Sequence, residues 1–396
     1  MRDVVICSGV RTAIGSFGGA LAETPPCELA TSVAREAILR AGVAPSSVEQ
    51  SVFGHVIHTE PRDMYLSRVA AIGSGVPETA PALTLNRLCG SGLQAVVSGA
   101  EQIMLGHANV VLTGGAENMS RVGHMMHAAR FGARMGDTSA TDMMTGALTD
   151  PFGNGHMGMT AENVAQASDI TRVMQDRLAL QSHQRASAAV EAGRFEDQIL
   201  PIRVKQGRKD IKFDTDEHVR RDVVLADLEK LRPAFKKDGS VTPGNASGIN
   251  DGAAALVLAA EEHANARGLT KLAIIRATAL GGVAPRVMGM GPVPAVTTAL
   301  TRAGLRIADM ACIESNEAFA AQACAVSAEL GFPPDITNPN GGAIALGHPI
   351  GASGAIILIK LIYELRRIGG HYGLATMCIG GGQGIAMIIE NPEADR

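Results

Sequence analysis

The chain has no tryptophan, and aromatic residues make up only 3% of its 396 positions, so aliphatic side chains and glycine must build the interior. Cysteine is scarce and scattered: positions 7, 27, 89, 312, 324 and 378 form no Cys-x-x-Cys pair, which excludes a disulfide framework or a zinc site of ordinary spacing. A reducing, cytoplasmic location is expected. A positive charge excess is also missing; the formal net charge of -4 argues against bulk nucleic-acid binding. Residues 1–15 lack the apolar core of a secretory signal, and the most apolar later run, Ala355 to Ile362, is interrupted by Lys360 and too short to span a bilayer. No membrane partner is expected. What remains is 46% hydrophobic and 19% charged, a globular composition, with 46 glycines for tight turns and close contacts. The length exceeds the roughly 250–300 residues at which single cores stop growing, so two or three domains are expected.

Taken in order, Val4 to Ser8 reads as a buried strand, Leu29 to Ala41 as a helix closed by Gly42, and Ser51 to Ile57 as a second strand. Ala82 to Asn86 is a short extended run before a helix carrying Leu93, Val96, Val97, Ala100, Ile103 and Met104. A strand over Asn109–Thr113 is expected to end at Gly114-Gly115. This is α/β layering. Between Met119 and about Asn250 the texture changes: eight of the 17 methionines fall between Met119 and Met159, and charged stretches follow, as in an inserted loop domain. Residues 203–221 hold Arg203, Lys205, Arg208, Lys209, Lys212, Arg220 and Arg221 against four acids, which suits either solvated surface or a phosphate-binding edge. After a strand at Asp251–Ala260 the scheme restarts, with strands at Leu272–Ala277, Ala311–Glu314 and Ile336–Asn338, and helices at Ala295–Ala303 and Gly351–Arg367. The matched order suggests duplication of one unit, with a site between the halves.

Cys89 stands between a strand and a helix start, flanked by Gly90 and Gly92. Unpaired amides and the helix dipole favour a thiolate there, with a pKa expected below the free value of about 8.5. A buried structural cysteine is the alternative. His348 sits in a glycine- and proline-lined turn before the second apolar helix, where it can serve as base or as a helix cap. Cys378 ends a strand before Gly380-Gly381-Gly382, a turn whose amides suit a developing oxyanion; Ile385 to Glu390 reads as extended, which excludes a dinucleotide loop. Asn316, in Glu314-Ser315-Asn316-Glu317, offers an amide to a water or carbonyl oxygen, or simply forms a turn.

Together, Asn-Arg-x-Cys-Gly-Ser-Gly around Cys89, Asn316-Glu317-Ala318-Phe319, Gly347-His348-Pro349 and Cys378-Ile379-Gly380-Gly381-Gly382 resemble the thiolase family over nearly the whole chain. The resemblance implies an α/β fold with a five-layered core of two similar α/β halves: an N-terminal half over 1–118, an inserted loop domain over 119–250, the end of the first half over 251–270, and a C-terminal half over 271–396. It implies reversible Claisen chemistry on acyl-CoA and CoA, with no cofactor or metal beyond these substrates. Cys89 would carry the acyl group, His348 take its proton, and Cys378 move the proton of the carbon nucleophile. Oxyanion pockets would come from His348 with a water on Asn316, and from the backbone N–H groups of Cys89 and Gly380. CoA would meet Leu148, His156, Met157, Arg220, Phe235, Ser247, Met288 and Phe319. A homotetramer or homodimer is implied. Asn118, Ser315 and Pro243 depart from the family's usual residues without removing a catalytic group. A short-chain acetyl-CoA C-acyltransferase is the leading expectation, and a broad-chain degradative 3-ketoacyl-CoA thiolase the alternative.

Overall fold

Val4–Arg11, eight consecutive buried residues, form strand β1, and a strand buried on both faces must be covered by helices on both sides. The computed structural model, which describes residues 2–206 and 209–394, places β1 in the middle of a ten-stranded mixed sheet. Arg208 of the basic stretch lies outside the described residues. The other long strands are β2 (Gln50–Gly54), β3 (Ala82–Leu85), β4 (Val110–Asn118), β5 (Asn250–Ala260), β6 (Ala273–Gly282), β7 (Met310–Ser315), β8 (Tyr372–Ile379) and β9 (Gln383–Glu390). Their order is β7-β8-β9-β6-β1-β5-β4-β2-β3, with Gly15–Ser16 added beside β5.

The pairing senses repeat. β2 is parallel to β4, which is antiparallel to β5, which is antiparallel to β1; likewise β7 is parallel to β8, β8 antiparallel to β9, and β9 antiparallel to β6. The halves join where Val5 and Ile6 of β1 meet Ile274 and Ala273 of β6. Two strand expectations need correction. β4 does not stop at Gly114-Gly115 but runs on to Asn118. A Cβ at Gly115 would lie 2.2 Å from the Gly351 carbonyl oxygen, so crowding, not chain termination, demands glycine there. Ile336–Asn338 is reduced to one parallel bridge, Ile313 to Thr337, because Asn338 takes φ of 46° and turns the chain away.

The helices are α1 (Pro26–Arg40), α2 (Ser91–Met104), α3 (Met157–Ala167), α4 (Arg172–Glu191), α5 (Pro292–Ala303), α6 (Ala320–Leu330) and α7 (Ile350–Arg367). α1 packs on the first half's strands and α5 on the second's, while α2 and α7 lie against each other between the two sets, which gives five layers. In α7, 15 of 18 residues are buried, as a helix apolar on all sides requires. Lys360, the residue that breaks its apolar run, is buried with them and bonds Glu314 at 2.8 Å and the Gly341 carbonyl at 2.7 Å. The helices meet through reciprocal glycines: a Cβ at Gly92 would lie 2.7 Å from Ala355 N, and one at Gly354 would lie 2.3 Å from Leu93 N. Because both contacts fall within the first two turns of each helix, the helix starts that follow Cys89 and His348 converge. β4 ends and β5 begins side by side, with Asn118 opposite Asp251, so the long intervening excursion leaves and returns at one place. Among the described residues no helix is long and apolar enough to cross a membrane.

Candidate active site

The nucleophile turn is held by its own side chains. Asn86 Oδ1 accepts the Leu88 N–H at 2.8 Å, while Ser91 Oγ accepts from Arg87 N at 2.8 Å and donates to the Leu88 carbonyl at 2.6 Å. These bonds hold Leu88 at φ 46°, a left-handed conformation that costs a non-glycine residue about 1–3 kcal/mol and tends to mark functional turns. Cys89 follows, half-buried, one residue before the Gly90 cap of α2.

The thiol's pKa is shifted opposite to the expectation. Burial pushes the Cys89 pKa up and outweighs the Gly380 and Cys89 backbone N–H groups, which act in the other direction, while buried Glu117 adds to the rise. Helix-start electrostatics alone does not ionise this sulfur, so it needs a base. Gly380 of the β8–β9 turn nevertheless lies beside Cys89 at the start of α2, in the lining of one pocket.

His348 is 5% exposed; its backbone N–H donates to Asn250 Oδ1 at 2.9 Å, and Nδ1 lies 2.6 Å from Ser353 Oγ. Nε2 has no hydrogen-bond partner among the described residues. Burial pushes its pKa down to about 4, leaving a neutral imidazole at pH 7. Cys378, 1% exposed at the end of β8, is raised by burial and by the neighbouring Cys89 charge. Cys89, His348, Cys378 and Gly380 all line one pocket of about 60 Å³. Asn316 does not: its backbone donates to Thr376 O at 3.0 Å, and it borders the internal cavity behind, with Ser315, Ser353 and Lys360. Its Nδ2 has no partner among the described residues, which makes it a buried donor needing an acceptor or water.

Of the positions expected to meet CoA, Leu148, Met157, Ser247, Met288 and Phe319 line the pocket. His156 stacks on Phe235 with centroids 4.7 Å apart, and Phe235 stands edge-on to Phe319 at 6.3 Å, extending the same wall. Arg220 is exposed and outside the pocket; its backbone N–H donates to His183 Nδ1 at 3.2 Å. Sequence reasoning missed Leu88, Ala147, Ala318 and Ile350 in the lining and Ser353 behind the imidazole. Three of these flank a named motif residue; Ser353 carried no local signal. Among the described residues no cluster of His, Cys, Asp or Glu is placed to hold a metal.

Two thiols and a neutral imidazole in one pocket at the meeting point of duplicated α/β halves define an acyl-transfer site, and the chain belongs to the thiolase family. The family's N-terminal domain matches residues 4–262 and its C-terminal domain residues 269–391. The chain is 59% identical to the beta-ketothiolase BktB of Cupriavidus necator over 391 residues, covering 98% of this chain and 99% of that protein. Among solved structures, the Bacillus anthracis acetyl-CoA acetyltransferase superposes with a TM-score of 0.96 at 45% identity, over 99% of both chains. Human mitochondrial 3-ketoacyl-CoA thiolase in complex with CoA gives 0.95 at 44% identity, over 98% of both. The protein is an acyltransferase of thiolase type.

Proposed function

We propose that this acetyl-CoA C-acyltransferase works through an acyl-Cys89 intermediate. His348 Nε2 takes the Cys89 proton as sulfur attacks the thioester carbonyl, and returns it to the departing CoA sulfur. Cys378, acting as thiolate, then removes an α-proton from a second acyl-CoA; the carbanion attacks the acyl-Cys89 carbonyl, the C–C bond forms, and the departing Cys89 thiolate takes that proton back from Cys378. Thiolysis of a 3-ketoacyl-CoA is the reverse. The Cys89 and Gly380 amides stabilise one oxyanion; His348, while its Nε2 carries the proton taken from Cys89, stabilises the other together with a water held by Asn316. The observation that carries this reading is that Cys89, His348, Cys378 and Gly380, which come from the two halves of the chain, line one pocket. Incubation with acetyl-CoA and mass mapping should find an acetyl thioester on Cys89. Acetylation that persists elsewhere in Cys89→Ala overturns the assignment.

The excursion over 119–250 serves in this reading as the CoA-binding loop domain, with Arg220 on the 3′-phosphate. A homotetramer or homodimer is supported by large apolar side chains left exposed on the excursion, Met125, Met126, Phe131 and Met135, and by Leu83 on the edge strand β3. A cytoplasmic location accords with six free cysteines.

A further inference from the structure

An imidazole base needs one bare nitrogen, and the partner of the other nitrogen decides which it is. In the first turn of α7, Ser353 Oγ lies 2.8 Å from the Pro349 carbonyl oxygen and 2.6 Å from His348 Nδ1. A carbonyl oxygen carries no hydrogen, so the first contact is attractive only when the Ser353 O–H points at it, the common back-bond of a helical serine. A hydroxyl has one proton. Once that proton is directed to Pro349, Oγ can present only lone pairs to His348, and Nδ1 must be the donor. The opposite arrangement would set oxygen lone pairs against each other at 2.8 Å in an interior where Ser353 is 3% exposed and no solvent screens them. At the other end of the ring, Nε2 has no partner among the described residues.

We infer that Ser353 is a positioning residue that holds His348 as the Nδ1–H tautomer, leaving the Nε2 lone pair free to accept the Cys89 proton. The inference rests on the reading of His348 as base, yet the tautomer is measurable independently of it. In ¹⁵N-histidine NMR of the intact wild-type enzyme, with the His348 signals assigned by their loss in His348→Asn, Nδ1 should be the protonated nitrogen and Nε2 the bare one. A protonated Nε2 overturns the proposal. In Ser353→Ala the ring should lose this preference, and thiolysis at pH 7 should fall roughly 10- to 100-fold, the effect of a buried N–H left without its acceptor, with KM for CoA unchanged. An unchanged tautomer in that variant also overturns it. If His348→Asn keeps wild-type thiolysis while the wild-type ring is Nδ1–H, the reading of His348 as base fails and the tautomer assignment stands.

Discussion

Acid should destabilise this fold through its buried histidines. Burial holds His348 neutral down to about pH 4; burial, Arg220 and His218 do the same for His183, against 6.5 for an unperturbed imidazole. The folded pKa lies below the unfolded one, so between pH 6.5 and pH 4 the unfolded chain binds a proton that the folded chain refuses. Stability is therefore complete above pH 6.5 and declines as pH falls through that window. Between pH 7 and pH 5 linkage gives a loss of about 2 kcal/mol per histidine. Glu314, raised by burial to about 6, titrates in the opposite sense, as do Glu117 and Glu317, but all three persist when one histidine is replaced. His348→Asn should accordingly lose about 2 kcal/mol less than wild type over that interval, read from urea midpoints at pH 7 and pH 5 at one protein concentration. Equal losses in the two proteins would refute a buried, proton-excluding site for the ring.

Cys378→Ser should still exchange label between acetyl-CoA and free CoA while thiolysis falls about 10²–10⁴-fold; wild-type thiolysis would remove the proton-transfer role. Arg220→Ala should raise KM for CoA more than it lowers kcat and should affect dephospho-CoA less, since a remote phosphate contact is mostly uniform binding. Equal effects on both substrates would put the 3′-phosphate elsewhere. Gly354→Ala should destabilise by about 1–3 kcal/mol despite alanine's higher helix propensity, because the added methyl meets the α2 backbone; a urea midpoint at or above wild type would contradict that contact.

Chemistry was more legible in this sequence than packing. Cys89, His348, Cys378 and Gly380 each sit in a short glycine-marked motif, and periodicity marked the helices that deliver the first two. The Gly114-Gly115 pair misled because one residue type both ends strands and permits close approach, and only the position of Gly351, far along the chain, tells the two apart. The Cys89 acidity was misjudged for a related reason: the helix start is local, whereas the burial that outweighs it comes from distant elements. Asn338 hid a left-handed turn inside a strand-like run. Ser353 could not be seen at all, since its relation to His348 depends on where a turn ends and a helix begins.

The place of β1 in the sheet sets a timetable for synthesis. Val4 pairs with Ala260 and Ile6 with Ala273, so the first strand made lies between two strands that leave the ribosome about 250 residues later, about 10–50 s at about 5–20 residues per second. During that delay its eight residues, all buried in the finished fold, have neither partner strand, and both its edges are open to other chains. The nascent chain therefore has to shelter β1, by transient collapse or by a holding chaperone, until the second half starts to emerge.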